Sequence, residues 1–160
     1  APLALRPPGG NIGGRFQWSG ASRPDPNSGK PLSVQTLLDA ARLREILTAA
    51  APGKTCRCSL GACAGWESLS EDRWPATTMQ SVGTLRDPAL AEPTYEERPP
   101  DGTRYESPDA PVAVSFFPYN RCDLWRCGQC ARHVLRYTEF GGYYVDHRVR
   151  ALLPATPVID

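Results

Sequence analysis

Six cysteines fall in two short sets, Cys56-x-Cys58-x4-Cys63 and Cys122-x4-Cys127-x2-Cys130, and the two histidines, His133 and His147, follow the second set. Thiolate sulfur and imidazole nitrogen are the donors that zinc gathers into a tetrahedron. In an oxidising compartment the same even count reads as three disulfides, and in a reducing one as metal or redox chemistry. Eight potential ligands allow three metal arrangements. Two Cys3His sites use all eight residues. One site joins Cys127 and Cys130 to two residues of the Cys56–Cys63 loop. One local site uses Cys122, Cys127, Cys130 and either His133 or His147. Loop-closure cost grows with separation, so the local site is the expected one.

Gly128 follows Cys127 in Cys127-Gly-Gln-Cys130, and this turn resembles the knuckle of zinc ribbons and rubredoxin-like sites. A tight turn aims two thiolates at one point, and its free backbone N–H groups stabilise the sulfur charge. The resemblance spans about residues 112–150 and lacks the usual second Cys-x-x-Cys; as a motif it implies a structural zinc between a strand and a hairpin. Cys122-x4-Cys127-x2-Cys130 also has the spacing of plant-type [2Fe–2S] ferredoxins, but no cysteine follows Cys130 and the loop carries the bulky Leu124, Trp125 and Arg126. Iron–sulfur is therefore the alternative cofactor, and no metal with disulfides the other. A dithiol redox pair at Cys127 and Cys130 belongs at a helix start, whereas Val134 to Glu139 reads as strand. Cys130 or Cys63 paired with His133 or His147 would make a nucleophile and base, but both histidines serve at least as well as ligands or buried polar groups. No nucleophile elbow or metalloprotease helix is present. An enzyme is not the favoured reading.

The elements that must position these residues are sparse. Residues 1–31 read as an extended Pro/Gly-rich arm, and 32–160 as a single metal-stapled domain. Val34, Leu37, Leu38 and Ala41, continued by Leu43, Ile46, Leu47 and Ala50, give the chain its clearest amphipathic helix, about 33–50, with Ser33 as cap and Pro52-Gly53 as stop. Trp66 to Trp74 reads as a short helix. Residues 85–111 are rich in Pro, Glu and Asp without apolar periodicity and read as a long loop. Val112, Val114 and Phe116 alternate as a strand, and Val134–Glu139 and Tyr143–Val149 form a hairpin about Phe140-Gly141-Gly142. In its second strand His147 shares a face with Val145 and Val149, toward the expected core. Trp66 and Trp125 are expected to pack over the staple. The fold class is accordingly α+β: one main helix on a small antiparallel sheet, with a zinc-ribbon-like knuckle and hairpin and long Pro/Gly-rich loops.

A chain of 160 residues with 17 prolines and 14 glycines has a limited core, and a staple compensates for that. The net charge of +1 gives no general attraction to nucleic acid or membrane. Residues 1–60 hold eight basic and three acidic side chains, and 85–110 three basic and seven acidic. No apolar run reaches the roughly 18–20 residues of a membrane-spanning helix. The first residues lack the charged start and apolar block of a signal peptide. The expectation is a cytoplasmic, zinc-stabilised binding or adaptor module for a protein partner, contacted through 85–111 and the Pro-rich arm. The alternatives are a small metalloenzyme or redox protein using the same cysteines, and a secreted, disulfide-bonded form.

Overall fold

The computed structural model describes residues 34–51, 56, 58, 60, 63–100 and 103–160. The expected arm at 1–31, the Ser33 cap and the Pro52-Gly53 stop lie outside the described residues.

The helix α1 is shorter than its apolar pattern suggests and spans Ala40–Ala49. Asp39 caps it by accepting the Arg42 backbone N–H at 2.7 Å. Ala40, Leu43 and Leu47 recur on one buried stripe. The residues just before the cap are drawn into the sheet. Leu38 N–H donates to the Thr84 carbonyl at 2.8 Å, and Thr84 N–H to the Thr36 carbonyl at 2.9 Å. A backbone committed to a neighbouring strand cannot also close helical bonds, so Val34 and Leu37 leave the helix and stay exposed.

Most of the regular secondary structure among the described residues is sheet. β1 (Glu67–Ser68), β2 (Met79–Thr84), β4 (Asp123–Cys127), β5 (His133–Phe140) and β6 (Val145–Leu152) form one antiparallel sheet in the order β1-β6-β5-β4-β2. β3 (Val112–Ala113) and β7 (Val158–Ile159) form a small parallel pair. The α+β expectation of a main helix on a small sheet is therefore corrected: among the described residues α1 is the one helix of seven residues or more, beside a five-stranded sheet. The sequence pattern understates the strand content because β2 and β4 do not alternate cleanly. β2 is an edge strand with Gln80 and Ser81 exposed. β4 runs through Asp123 to Cys127, residues that pair with β2 on one side and β5 on the other. The short helix expected at Trp66–Trp74 is β1 followed by a 3-10 turn at Glu71–Arg73.

The sheet is covered on both faces. Leu124, Leu135, Tyr137 and Leu152 pack with α1, β3 and β7 in one core. Val134, Val149, Trp74, Met79 and Leu60 make the other, together with Cys63, Cys127 and Cys130. Successive strand residues point to opposite faces, so Val134 and Leu135, both fully buried, belong one to each layer. The β5–β6 hairpin closes through Gly141–Tyr144, with Gly141 N–H donating to the Tyr144 carbonyl at 2.9 Å. At a register shift in β2, a Cβ on Gly83 would stand 2.6 Å from the Thr36 carbonyl oxygen and 2.8 Å from Leu38 Cγ. Glycine is what lets the 36–38 segment approach there.

The described part of 85–111 carries no strand or helix and is tied down by side chains. Asn120 Nδ2 donates to the Thr94 carbonyl at 2.9 Å and Arg121 to that of Pro93 at 2.8 Å. Arg150, a charged residue of β6, is only 1 % exposed. It donates to Tyr119 Oη and to the carbonyls of Pro108 and Ala110. No helix among the described residues is long and apolar enough to cross a membrane.

Candidate metal centre

β4 ends at Cys127 and the chain reverses through Gly128–Ala131 into β5. The reversal is fixed from three sides. Ala131 N–H donates to the Cys127 carbonyl at 2.9 Å, Cys127 N–H to that of Arg132 at 2.9 Å, and Gly128 N–H to that of Thr78 at 2.8 Å. Ala131 takes a left-handed φ of 58°, a conformation that costs an alanine about 1 kcal/mol or more and ends the knuckle. Both Cys127 and Cys130 are buried.

The second half of the centre arrives from Cys56 and Cys58. Leu60, fully buried, seats that segment in the core, and Ala151 at the end of β6 donates its N–H to the Cys63 carbonyl at 2.7 Å. Sγ of Cys56 lies 4.0 Å from Sγ of Cys127, and Sγ of Cys58 lies 4.0 Å from Sγ of Cys130. All four sulfurs are within 4.8 Å of one another. Four sulfurs at zinc–thiolate bond length stand about 3.8 Å apart along the edges of the tetrahedron. With the two facing pairs at 4.0 Å and every distance within 4.8 Å, the set is compact enough to hold a metal ion.

Each half carries the same local device. Cys58 N–H donates to Sγ of Cys56 at 3.3 Å, and Leu60 N–H points to Sγ of Cys58. The N–H groups of Gln129 and Cys130 point to Sγ of Cys127, and that of Arg132 to Sγ of Cys130. Every sulfur therefore meets the N–H two residues ahead, the arrangement that favours thiolate over thiol. Burial works against ionisation of Cys127, but the two N–H groups, helped by the Cys130 and Cys56 thiols, bring it down to about 7. Burial and the neighbouring Cys127 push Cys130 up to about 12, and burial with Cys56 raises Cys58. Arg132 brings a guanidinium nitrogen to 3.7 Å from Sγ of Cys58.

The remaining candidate ligands stand elsewhere. Cys122 and Cys127 are separated by β4 itself, five residues of extended chain or about 16 Å, and their odd spacing puts them on opposite faces. Cys122 is fully buried in the α1-side core, donates to the Pro118 carbonyl at 3.3 Å, and is raised well above the ordinary thiol range by burial, with Asp123 adding to it. Cys63 is buried and 3.9 Å from Glu67 Oε2; burial, then Glu67, raises it. His133 is 5 % exposed on β5, opposite Arg126 and Leu152. His147 sits with Nε2 3.0 Å from Glu71 and Nδ1 3.1 Å from Thr138 Oγ1, while Arg136 also donates to Glu71 and stacks 4.4 Å from the Trp74 ring centre. This network latches the Glu71–Arg73 turn onto the sheet. The local site built on Cys122 and a histidine is thus not the cluster the structure forms; the cluster joins Cys127 and Cys130 to two residues of the first loop. Trp125 packs beside it, at 5.6 Å from Trp74, whereas Trp66 belongs to the other core with Tyr119 and Tyr137. Arg132 escaped sequence reasoning, although a basic residue just after a Cys-x-x-Cys knuckle was a readable sign of a charged sulfur site.

Compared with known proteins, no family model, no curated protein and no solved structure matches this chain.

Proposed function

We propose that this chain is a small binding module held together by one structural zinc ion on Cys56, Cys58, Cys127 and Cys130, and that it engages a protein partner. The convergence of four sulfurs on one point, each beneath a backbone N–H, carries the reading. An iron–sulfur cluster spreads its cysteines over several irons, so mutual distances within 4.8 Å suit a single ion better. Two disulfides would need only pairwise approach, not convergence of all four. Four thiolates fill a tetrahedron and leave no position for water or substrate, which is the pattern of a structural rather than a catalytic zinc.

The zinc would clip residues 71 and 72 positions apart, joining the segment at Cys56 and Cys58 to the β4–β5 turn. When bound it supplies the positive charge that lets four buried thiols ionise together. The described part of 85–111, tied to the fold by Asn120, Arg121 and Arg150, is a suitable contact surface. Elemental analysis and chelation of the purified protein test the metal part. Colourless protein with one zinc per chain that unfolds on chelation is expected. Brown protein with visible absorbance would replace zinc by iron, and metal-free protein with four oxidised cysteines would replace it by disulfides.

A further inference from the structure

The sheet has a notch. β4 begins at Asp123, which pairs with Arg136, but β5 continues four residues further to Phe140. Over Tyr137–Phe140, β5 is paired with β6 on one side, and among the described residues no strand pairs with it on the other. A groove of about 600 Å³ opens there, lined by Tyr137, Thr138 and Phe140 along that unpaired edge. Unpaired strand edges are templates for an added strand.

The groove is also charged. Arg86, Arg121 and Arg136 line it against a single carboxylate, Asp123, which forms no ion pair among the described residues. Arg136 is committed to Glu71. Arg121 uses one nitrogen on the Pro93 carbonyl and lies 4.0 Å from the Tyr95 ring centre, but its Nε is buried without an acceptor. The exposed side chain of Arg86 has no partner among the described residues. Trp125, in the groove wall, likewise holds its Nε1–H buried and unsatisfied. Donors outnumber acceptors, so the groove suits a ligand that brings anionic oxygen. Phe140, 78 % exposed, adds an apolar wall at its end.

We propose that an extended acidic segment of a partner protein docks in this notch, continuing the line of β4 antiparallel to β5. This rests on the reading of the chain as a protein-binding module and names the partner's chemistry. Backbone bonds to the free edge of Tyr137–Phe140 supply affinity. Carboxylates at alternate positions fall on the face of Arg136 and Thr138, within reach of Arg86 and Arg121. Nucleic acid also brings anionic oxygen, but it has no strand backbone to match the open edge.

Fluorescence anisotropy of the full, zinc-loaded chain with a labelled octapeptide of alternating valine and glutamate tests this. Binding is expected, weakened at least about ten-fold by Arg86→Glu, by lysine in place of glutamate, or by N-methylation of the one alternate set of peptide amides that faces β5. N-methylation of the other set should leave affinity unchanged. No binding, equal binding to Arg86→Glu, or equal tolerance of both methylated peptides would overturn the proposal. Displacement of the peptide by oligothymidylate or inorganic phosphate at lower concentration than by unlabelled peptide would overturn it in favour of a phosphate site. Metal content is read on the same samples. Zinc-bound protein that ignores the peptide overturns this inference alone, whereas peptide binding by a folded, metal-free chain overturns the structural-zinc reading and leaves this one standing.

Discussion

Serine substitution at each cysteine separates the four-sulfur centre from the two thiols outside it, Cys63 and Cys122. Zinc on Cys56, Cys58, Cys127 and Cys130 closes loops of 71 and 72 residues, the separations of the facing pairs. By the chain-entropy relation for cross-links, a loop of that size is worth about 4 kcal/mol through the unfolded state. That is a large share of the 5–15 kcal/mol that usually holds a domain together. For a domain of this length, it corresponds to a fall in Tm of about 15 °C. Cys56→Ser, Cys58→Ser, Cys127→Ser and Cys130→Ser should each lose the metal and fall together by about this much. Cys122→Ser is different: a hydroxyl can keep the bond to the Pro118 carbonyl, so the cost is a packing change of about 1–2 kcal/mol with zinc retained. Calorimetric melting and zinc content, measured on all six variants, are the assay. Loss of zinc in Cys122→Ser together with retention in Cys56→Ser would refute the geometry and restore a local site around the second cysteine set.

Two further expectations follow from the packing. Gly83→Ala drives a Cβ into the Thr36 carbonyl and Leu38, at a cost of about 1–3 kcal/mol; hydrogen exchange should show the Leu38 and Thr84 amides losing protection first. Burial, with Arg126 nearby, lowers the pKa of His133, so the folded state favours its neutral form. Its contribution is therefore fully present above the ordinary imidazole value and is lost as pH falls from there through the lowered value of the folded state. His133→Gln should flatten the acid side of the stability profile measured by urea titration, and an unchanged profile would count against a neutral buried imidazole.

How legible this molecule is from its residues depends on which contacts are local. The β5–β6 hairpin was readable because Val134 to Glu139 and Tyr143 to Val149 alternate on either side of a glycine turn; the structure shifts its boundaries to His133–Phe140 and Val145–Leu152. The helix was readable from Leu43 and Leu47, but not its start, because the pull of Thr84 on residues 36–38 is a tertiary effect. β2 and β4 were missed for the same reason: Gln80, Ser81, Asp123 and Arg126 give no apolar rhythm, and pairing with neighbours decides their conformation. In the centre, Cys127 and Cys130 were legible as a knuckle from spacing alone. Their partners were not, since counting residues treats Cys122-x4-Cys127 as a flexible loop, whereas a strand holds those two sulfurs far apart and on opposite faces. Cys56 and Cys58 are distant in sequence and brought close by the sheet, which loop-closure reasoning penalises unless the fold is known.

X-ray absorption at the zinc edge of the purified protein tests the four-sulfur centre most directly. Four sulfur scatterers at about 2.3 Å, with no imidazole contribution, are expected. A shell containing nitrogen from His133 or His147, or no bound zinc at all, would contradict it.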